Sequence, residues 1–245
     1  MYLFQREFYF YNSVRDLFQM VVEDESEDSD EILKFIPKPL TLPGPMTFNR
    51  GIEEPLICEN ASSLGYKMWK DEFNGLDLAH AEISLEAYGK LHALGLVLFE
   101  KKIVEDENFV KLLDVDIIKL FTSPLMEIVD KGFESFKEWI RNNDNDEETV
   151  AKLKHELNDR KYVRTTEKLF KEGKSHELQI IQHGDARSNN ILFKYAEDGV
   201  TPIDAMLVDF QASGFCHPFF DLVYFFALSL SADVLIQNYH PLLER

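Results

Sequence analysis

One stretch limits what this chain can fold into more than any other: QIIQHGDARSNNILFKYAEDGVTPIDAMLVDF, residues 179–210. An apolar run, Leu178–Ile181, reads as a buried strand that ends at His183-Gly184-Asp185. Asn190 follows five residues after Asp185 and leads into a second apolar run, Ile191–Phe193. Ala196–Pro202 has Glu-Asp-Gly turn chemistry, and the chain returns through Ala205–Val208 to Asp209-Phe210-Gln211. Two short strands joined this way pair as a hairpin. The residue before the first strand and the residue after the second then lie at the same end. Asn190 and Asp209 therefore share one mouth, with Asp185 on the loop beside them. A carboxylate able to take a proton, together with an amide and a second carboxylate able to hold Mg²⁺, is the minimum apparatus for moving a phosphoryl group.

Charge sharpens that reading. The chain has 245 residues and a net charge of −18, with no basic stripe, so nucleic acid is excluded as a partner. ATP is also an anion, and binding it here requires metal ions to invert the local field. A hydrophobic content of 45% is ample for a core. The two cysteines, Cys58 and Cys216, have no metal-type spacing and read as inert thiols of a reducing compartment. Arg6 and Glu7 interrupt the N-terminus too early for a signal peptide, and Leu222–Leu230 is too short to span a bilayer. A soluble cytoplasmic protein without membrane partners is expected; its oligomeric state is not legible.

Residues 1–22 read as one helix, with apolar residues at Leu3, Phe10, Val14, Leu17 and Val21. Glu7 falls inside that stripe, either at a water-facing edge or turned inward toward a cation. The acidic block 23–31 marks a boundary, Pro37 and Pro39 make any strand over 33–42 irregular, and Leu56-Ile57-Cys58 reads as a short buried strand. Asp77 caps a helix with the stripe Ile83, Ala87, Leu91, Leu94 and Leu98; His92 beside it reads as a core histidine held by backbone rather than a ligand. Ser123-Pro124 opens a helix running to about Asn142, and 147–171 reads as a third, ended by Gly173. Past Gln211 a Gly- and Pro-rich turn precedes Phe219–Leu230, apolar on nearly every face and so expected to be buried all round. Asp221 either caps that helix or braces the loop carrying Asp185.

HGDARSNN followed by LVDFQ resembles the catalytic segment of the aminoglycoside-phosphotransferase and choline-kinase branch of the protein-kinase-like fold. The finer pattern (HGD, the doubled Asn before ILFKY, VDFQ, and FFDLVYFF) resembles the ecdysteroid-kinase-like, or CHK kinase-like, family. REFYFY, LICENASSLGYK and LEAYGKLHALG agree with it. The resemblance implies an α+β, two-lobed fold, with an incomplete N-lobe over residues 1–60 and a mainly helical, C-terminally incomplete C-lobe over 61–245. It implies ATP and Mg²⁺ as cofactors and an alcohol as acceptor. Asp185 would be the catalytic base, and Asn190 and Asp209 the metal ligands. Glu7 would be the acid that pairs with an ATP-binding lysine. Ile57, Cys58, Glu59 and Asn60 would form the hinge beside adenine, and His183 and Asp221 would support the loop. The Gly-rich loop and lysine strand that precede Glu7 in the family are absent here, so a chain truncated at both ends is expected.

Three functions remain open on these grounds. The first is an ATP-dependent small-molecule kinase acting on an alcohol hydroxyl, and the second a catalytically impaired, kinase-like binding protein. The third is a metal-dependent phosphoesterase using His183, Asp185, Asn190, Asp209 and His217. No GxxxxGK[ST] loop occurs, which excludes a Walker-type ATPase.

Overall fold

The computed structural model describes residues 2–23, 28–40, 55–70, 74–101 and 178–244, with scattered helical positions between 131 and 172. Residues 1–114 and 178–245 form one compact unit and 115–177 a second. In the second unit Lys131, Gly132, Glu134–Phe136, Glu138 and Trp139 are helical, as are Ala151, Lys168, Lys171 and Glu172. The start of the helix expected at Ser123-Pro124, an acidic turn that the sequence also suggests over 144–148, the Gly173 stop and most of 147–171 lie outside the described residues.

The first unit opens with α1 (Tyr2–Tyr9) and α2 (Arg15–Glu23), joined without a break by one π-helical segment over Phe10–Val14. This corrects the single regular helix expected over 1–22. A π turn admits an extra residue, and here it places Phe10, Tyr11 and Val14 together in the core. The buried set is thereby shifted: Leu3 is exposed, whereas Arg6, Arg15 and Phe18 are inside. A short α3 (Ser29–Leu33) follows, its N-terminus capped by the Asp28 side chain. The proline-containing segment after it is irregular, as its sequence requires: Pro39 makes a lone antiparallel bridge with Cys58.

Two small antiparallel sheets carry the site. In one, β1 (Tyr66–Met68), β3 (Ile191–Tyr195) and β4 (Pro202–Leu207) lie in the order β1-β3-β4. In the other, β2 (Ile180–Gln182) pairs with β5 (Gly214–Cys216), a strand where a turn was expected. Between them runs α4 (Leu78–Glu100), capped by Asp77 and burying Ala87, Leu91, Leu94 and Leu98. It packs closely on β2 at Gly95, where a Cβ would come within 2.5 Å of the Ile181 nitrogen. Two helices close the unit, α5 (Phe219–Ser229) and α6 (Ala232–Leu243), the latter capped by Ser231. Helix α5 is not buried all round. Phe225, Phe226, Asp221 and Ser229 face inward, while Phe219, Val223 and Leu228 are exposed. Among the described residues no helix is long and apolar enough to cross a membrane.

Candidate active site

The site is built on the exit of β2. Gly184 adopts φ +82, and a Cβ there would collide with the Ala212 carbonyl, so only glycine lets the chain turn between His183 and Asp185. Asp221, at the start of α5 and 2% exposed, grips this turn. Its Oδ2 accepts the His183 backbone N–H at 2.7 Å, and its Oδ1 accepts the Gly184 N–H at 2.9 Å. His92 Nε2 lies 2.9 Å from Oδ2, so this histidine is held by a carboxylate and not, as its sequence context indicated, by backbone. Burial alone pushes the Asp221 carboxyl up. The His92 hydrogen bond and charge, His183 and the Gly184 N–H outweigh it and hold the group below the usual carboxylate range.

His183 is fully buried and committed at both ring nitrogens. Nδ1 is 3.3 Å from the Asp185 N–H, and Nε2 is 3.0 Å from the Val208 carbonyl. An N–H can be received only by an unprotonated nitrogen, so the ring is the neutral Nε2–H tautomer, donating to Val208. Burial lowers its pKa against the neighbouring carboxylates, in agreement with that tautomer. The imidazole thus ties the loop to the end of β4.

The hairpin mouth lies at the same place. Ile191 is opposite Leu207 in the β3–β4 register, and the Val208 N–H donates to the Asn190 carbonyl at 3.0 Å. Asn190 and Asp209 therefore flank one end of the ribbon. The Asn190 side chain reaches back to the loop, its Nδ2 donating to the Asp185 carbonyl and to Asp185 Oδ2, each at 2.9 Å. Arg187 Nε holds the same Oδ2 at 3.2 Å. Tyr224 on α5 faces the carboxylate too; burial first, then the Asp185 charge, raises its phenol. Asp209 sits at φ 66, ψ 62, and it is the one non-glycine residue with positive φ among those described. Such backbone costs free energy and persists where surroundings enforce it, a pattern concentrated at functional sites.

What enforces it is visible on either side. Phe210 stacks on Phe10 (centroids 3.9 Å apart, planes at 7°), meets Tyr11 edge-on and lies 4.7 Å from the His183 ring. Arg6 enters the core to donate from Nε to the Gln211 carbonyl at 3.0 Å and from its terminal nitrogen to the Ser213 carbonyl. Burial draws its pKa down to about 10, so it remains charged at neutral pH. Its neighbour Glu7 is half-buried; burial, then the Asp209 charge, raises its carboxyl.

At the expected hinge, the Leu40 N–H donates to Ile57 (2.8 Å) and the Glu59 N–H to Lys38 (2.9 Å). Strand alternation leaves the N–H and C=O of Cys58 on the opposite edge. Asn60 turns away, its side chain capping Ala61–Leu64. The Glu59 side chain accepts the Lys38 N–H at 2.9 Å.

With this arrangement in view, the comparison with known families is decisive, for a model of the ecdysteroid kinase-like family matches residues 1–245. The chain belongs to the ecdysteroid kinase-like family. No curated protein matches it. Membership gives the chain its α+β, kinase-like fold and places it in a class of kinase-like small-molecule phosphotransferases. In this ecdysteroid kinase-like chain the hairpin brings together Asp185, Asn190 and Asp209, and α1 adds Glu7, while His183 and Asp221 lie beneath. Arg6, Arg187 and Tyr224 were not singled out from sequence. Arg187 lies two residues beyond Asp185, a signal that was available; Arg6 and Tyr224 come into play only through packing.

Proposed function

We propose that this chain transfers the γ-phosphoryl group of ATP to the hydroxyl of a small alcohol. The observation that carries the reading is the joint placement of Asp185, Asn190 and Asp209 at one end of the β3–β4 ribbon. Asn190 Nδ2 and Arg187 Nε both hold Asp185 Oδ2, fixing the carboxylate in orientation. Oδ1 is then the oxygen that takes the substrate's proton, and Tyr224 borders the place where the alcohol lies. Neutral His183 positions the loop and exchanges no proton. Asn190 spends its Nδ2 on Asp185, so its Oδ1, with the Asp209 carboxylate, supplies the hard oxygen donors that suit Mg²⁺. Bound there, Mg²⁺ would neutralise phosphate charge. Glu7, whose carboxyl feels the Asp209 charge, and the free edge of Cys58 complete the nucleotide side of the reading.

The phosphoesterase alternative fares worse. Both His183 nitrogens are engaged in the scaffold, and no His, Cys, Asp and Glu side chains gather as a metal-binding group of three or more among the described residues. One observation favours the impaired binding protein: no lysine or arginine pairs with Glu7 among the described residues. Purified protein incubated with Mg²⁺, ATP and a panel of sterol and amino alcohols separates these readings. Acceptor-dependent ADP release, abolished in Asp185→Asn and Asp209→Ala, is the expected result. An Asp209→Ala protein releasing ADP at the normal rate would refute the metal assignment; nucleotide binding without turnover would select the impaired reading.

A further inference from the structure

Away from the hairpin mouth, a cavity of about 370 Å³ opens between α2, the segment after α3, and the β1-β3-β4 sheet. Of the expected site residues Glu59 lines it, whereas Glu7, Asp185, Asn190 and Asp209 do not. Arg15 does, and its state is unusual. The residue is 3% exposed, its Nε is buried without a partner, and its guanidinium makes no hydrogen bond or ion pair among the described residues. A buried cation is costly unless something satisfies it.

The surrounding carboxylates are engaged elsewhere. Glu31 pairs with Lys34, and Asp204 with Lys34 at 3.2 Å and the Tyr66 hydroxyl at 2.6 Å. Asp30 pairs with Lys38 at 3.2 Å, and Glu59 takes the Lys38 N–H at 2.9 Å. Lys194, a second cation of the lining, has no carboxylate partner among the described residues; its Nζ lies 5.7 Å from the Tyr66 ring centroid. In a chain of net charge −18 the wall thus presents two cations without a hydrogen-bonded or ion-paired acid among the described residues; Asp30, Glu59 and Asp16 act on Arg15 through their charge alone. A guanidinium presents a planar fork of donors that fits the paired oxygens of a carboxylate or phosphate.

We infer that this cavity is a second binding site, for a small oxyanion (a phosphate or carboxylate group) that engages the Arg15 guanidinium with Lys194 beside it. The inference is independent of the phosphotransfer reading. The cavity volume suits a metabolite-sized ligand, and the oxyanion comes either free or as part of such a molecule.

The test follows Arg15 itself. Nitrogen-detected NMR of the arginine Nε–H groups of the whole chain is titrated with inorganic phosphate, glycerol phosphate and succinate, with thermal stability read in parallel. Saturable movement of the Arg15 resonance is expected, with a rise in melting temperature that grows with ligand concentration. Arg15→Met should bind at least about tenfold more weakly. Asp209→Ala should bind like wild type, which separates this site from the proposed catalytic one. Should Arg15→Met not fold, Lys194→Met, on the sheet surface, is expected to weaken binding in its place. Tighter binding of glycerol phosphate or succinate than of inorganic phosphate identifies a metabolite as the source; the reverse identifies the free ion. An Arg15 signal that no anion moves, or equal binding by wild type, Arg15→Met and Lys194→Met, overturns the proposal.

Discussion

Asp221→Asn isolates the grip on the catalytic turn. The carboxylate receives three donors on two oxygens: the His183 N–H and His92 Nε2–H on Oδ2, and the Gly184 N–H on Oδ1. An amide has one acceptor oxygen. Its least costly orientation keeps that oxygen at the Oδ2 position and turns the NH₂ group against the Gly184 N–H. One buried backbone donor is then unsatisfied, costing about 1–3 kcal/mol, and two charge-assisted bonds become ordinary ones, costing roughly 0.5–1 kcal/mol each. The sum is about 3 kcal/mol, and at this chain length it lowers the melting temperature by roughly 6–12 °C at neutral pH. The pH dependence has a definite sign. Asp221 titrates lower in the folded chain than its unfolded value of about 3.9. Its contribution is therefore complete above about pH 4 and is lost as pH falls through the folded value. Urea titrations of wild type and Asp221→Asn should give curves that stay apart from pH 7 to pH 5 and converge in stronger acid. A variant melting within about 2 °C of wild type, or a gap that persists unchanged in acid, would refute the reasoning.

Other substitutions probe neighbouring claims. Gly184→Ala combines positive φ with a collision at the Ala212 carbonyl and should lose about 3 kcal/mol or more in urea titration; a loss under about 1 kcal/mol would mean the turn relaxes freely. Arg6→Met removes the donors to the Gln211 and Ser213 carbonyls and should cost about 2–4 kcal/mol, with Arg6→Lys recovering part; equal loss in both would show that packing, not hydrogen bonding, matters there. Glu7→Gln removes the charge of a half-buried carboxylate that the Asp209 charge disfavours. Because that carboxyl is raised in the folded state, its penalty appears as pH rises through the folded value, so in urea titration the variant should be more stable than wild type at pH 7 and no different near pH 4.

The hairpin was legible because its signals are local. Two short apolar runs on either side of Glu-Asp-Gly turn chemistry mark a hairpin, and a hairpin puts Asn190 and Asp209 at the same end. The capped start of α4 at Asp77 is local in the same way. What was missed depends on partners far along the chain. Arg6 was given no structural role because its acceptors, the carbonyls of Gln211 and Ser213, are some two hundred positions away. His92 was assigned to backbone because nothing near it announces Asp221. Strand β5 is three residues long and exists only because β2 lies alongside it. Helix α5, rich in phenylalanine throughout, gave no sign of which face meets α4 and which meets water, since composition carries no phase.

The stack of Phe10 on Phe210 makes the first helix and the carboxylate at 209 a single mechanical part. The ring is bonded to the residue directly after Asp209, and Arg6 clamps the peptide just beyond it. Sliding or rolling α1 would carry Phe10 along, drag the aromatic plate and twist a backbone already held at an unfavourable angle. Whatever docks against that helix thereby has a crank on the acidic tip of the ribbon, without touching it.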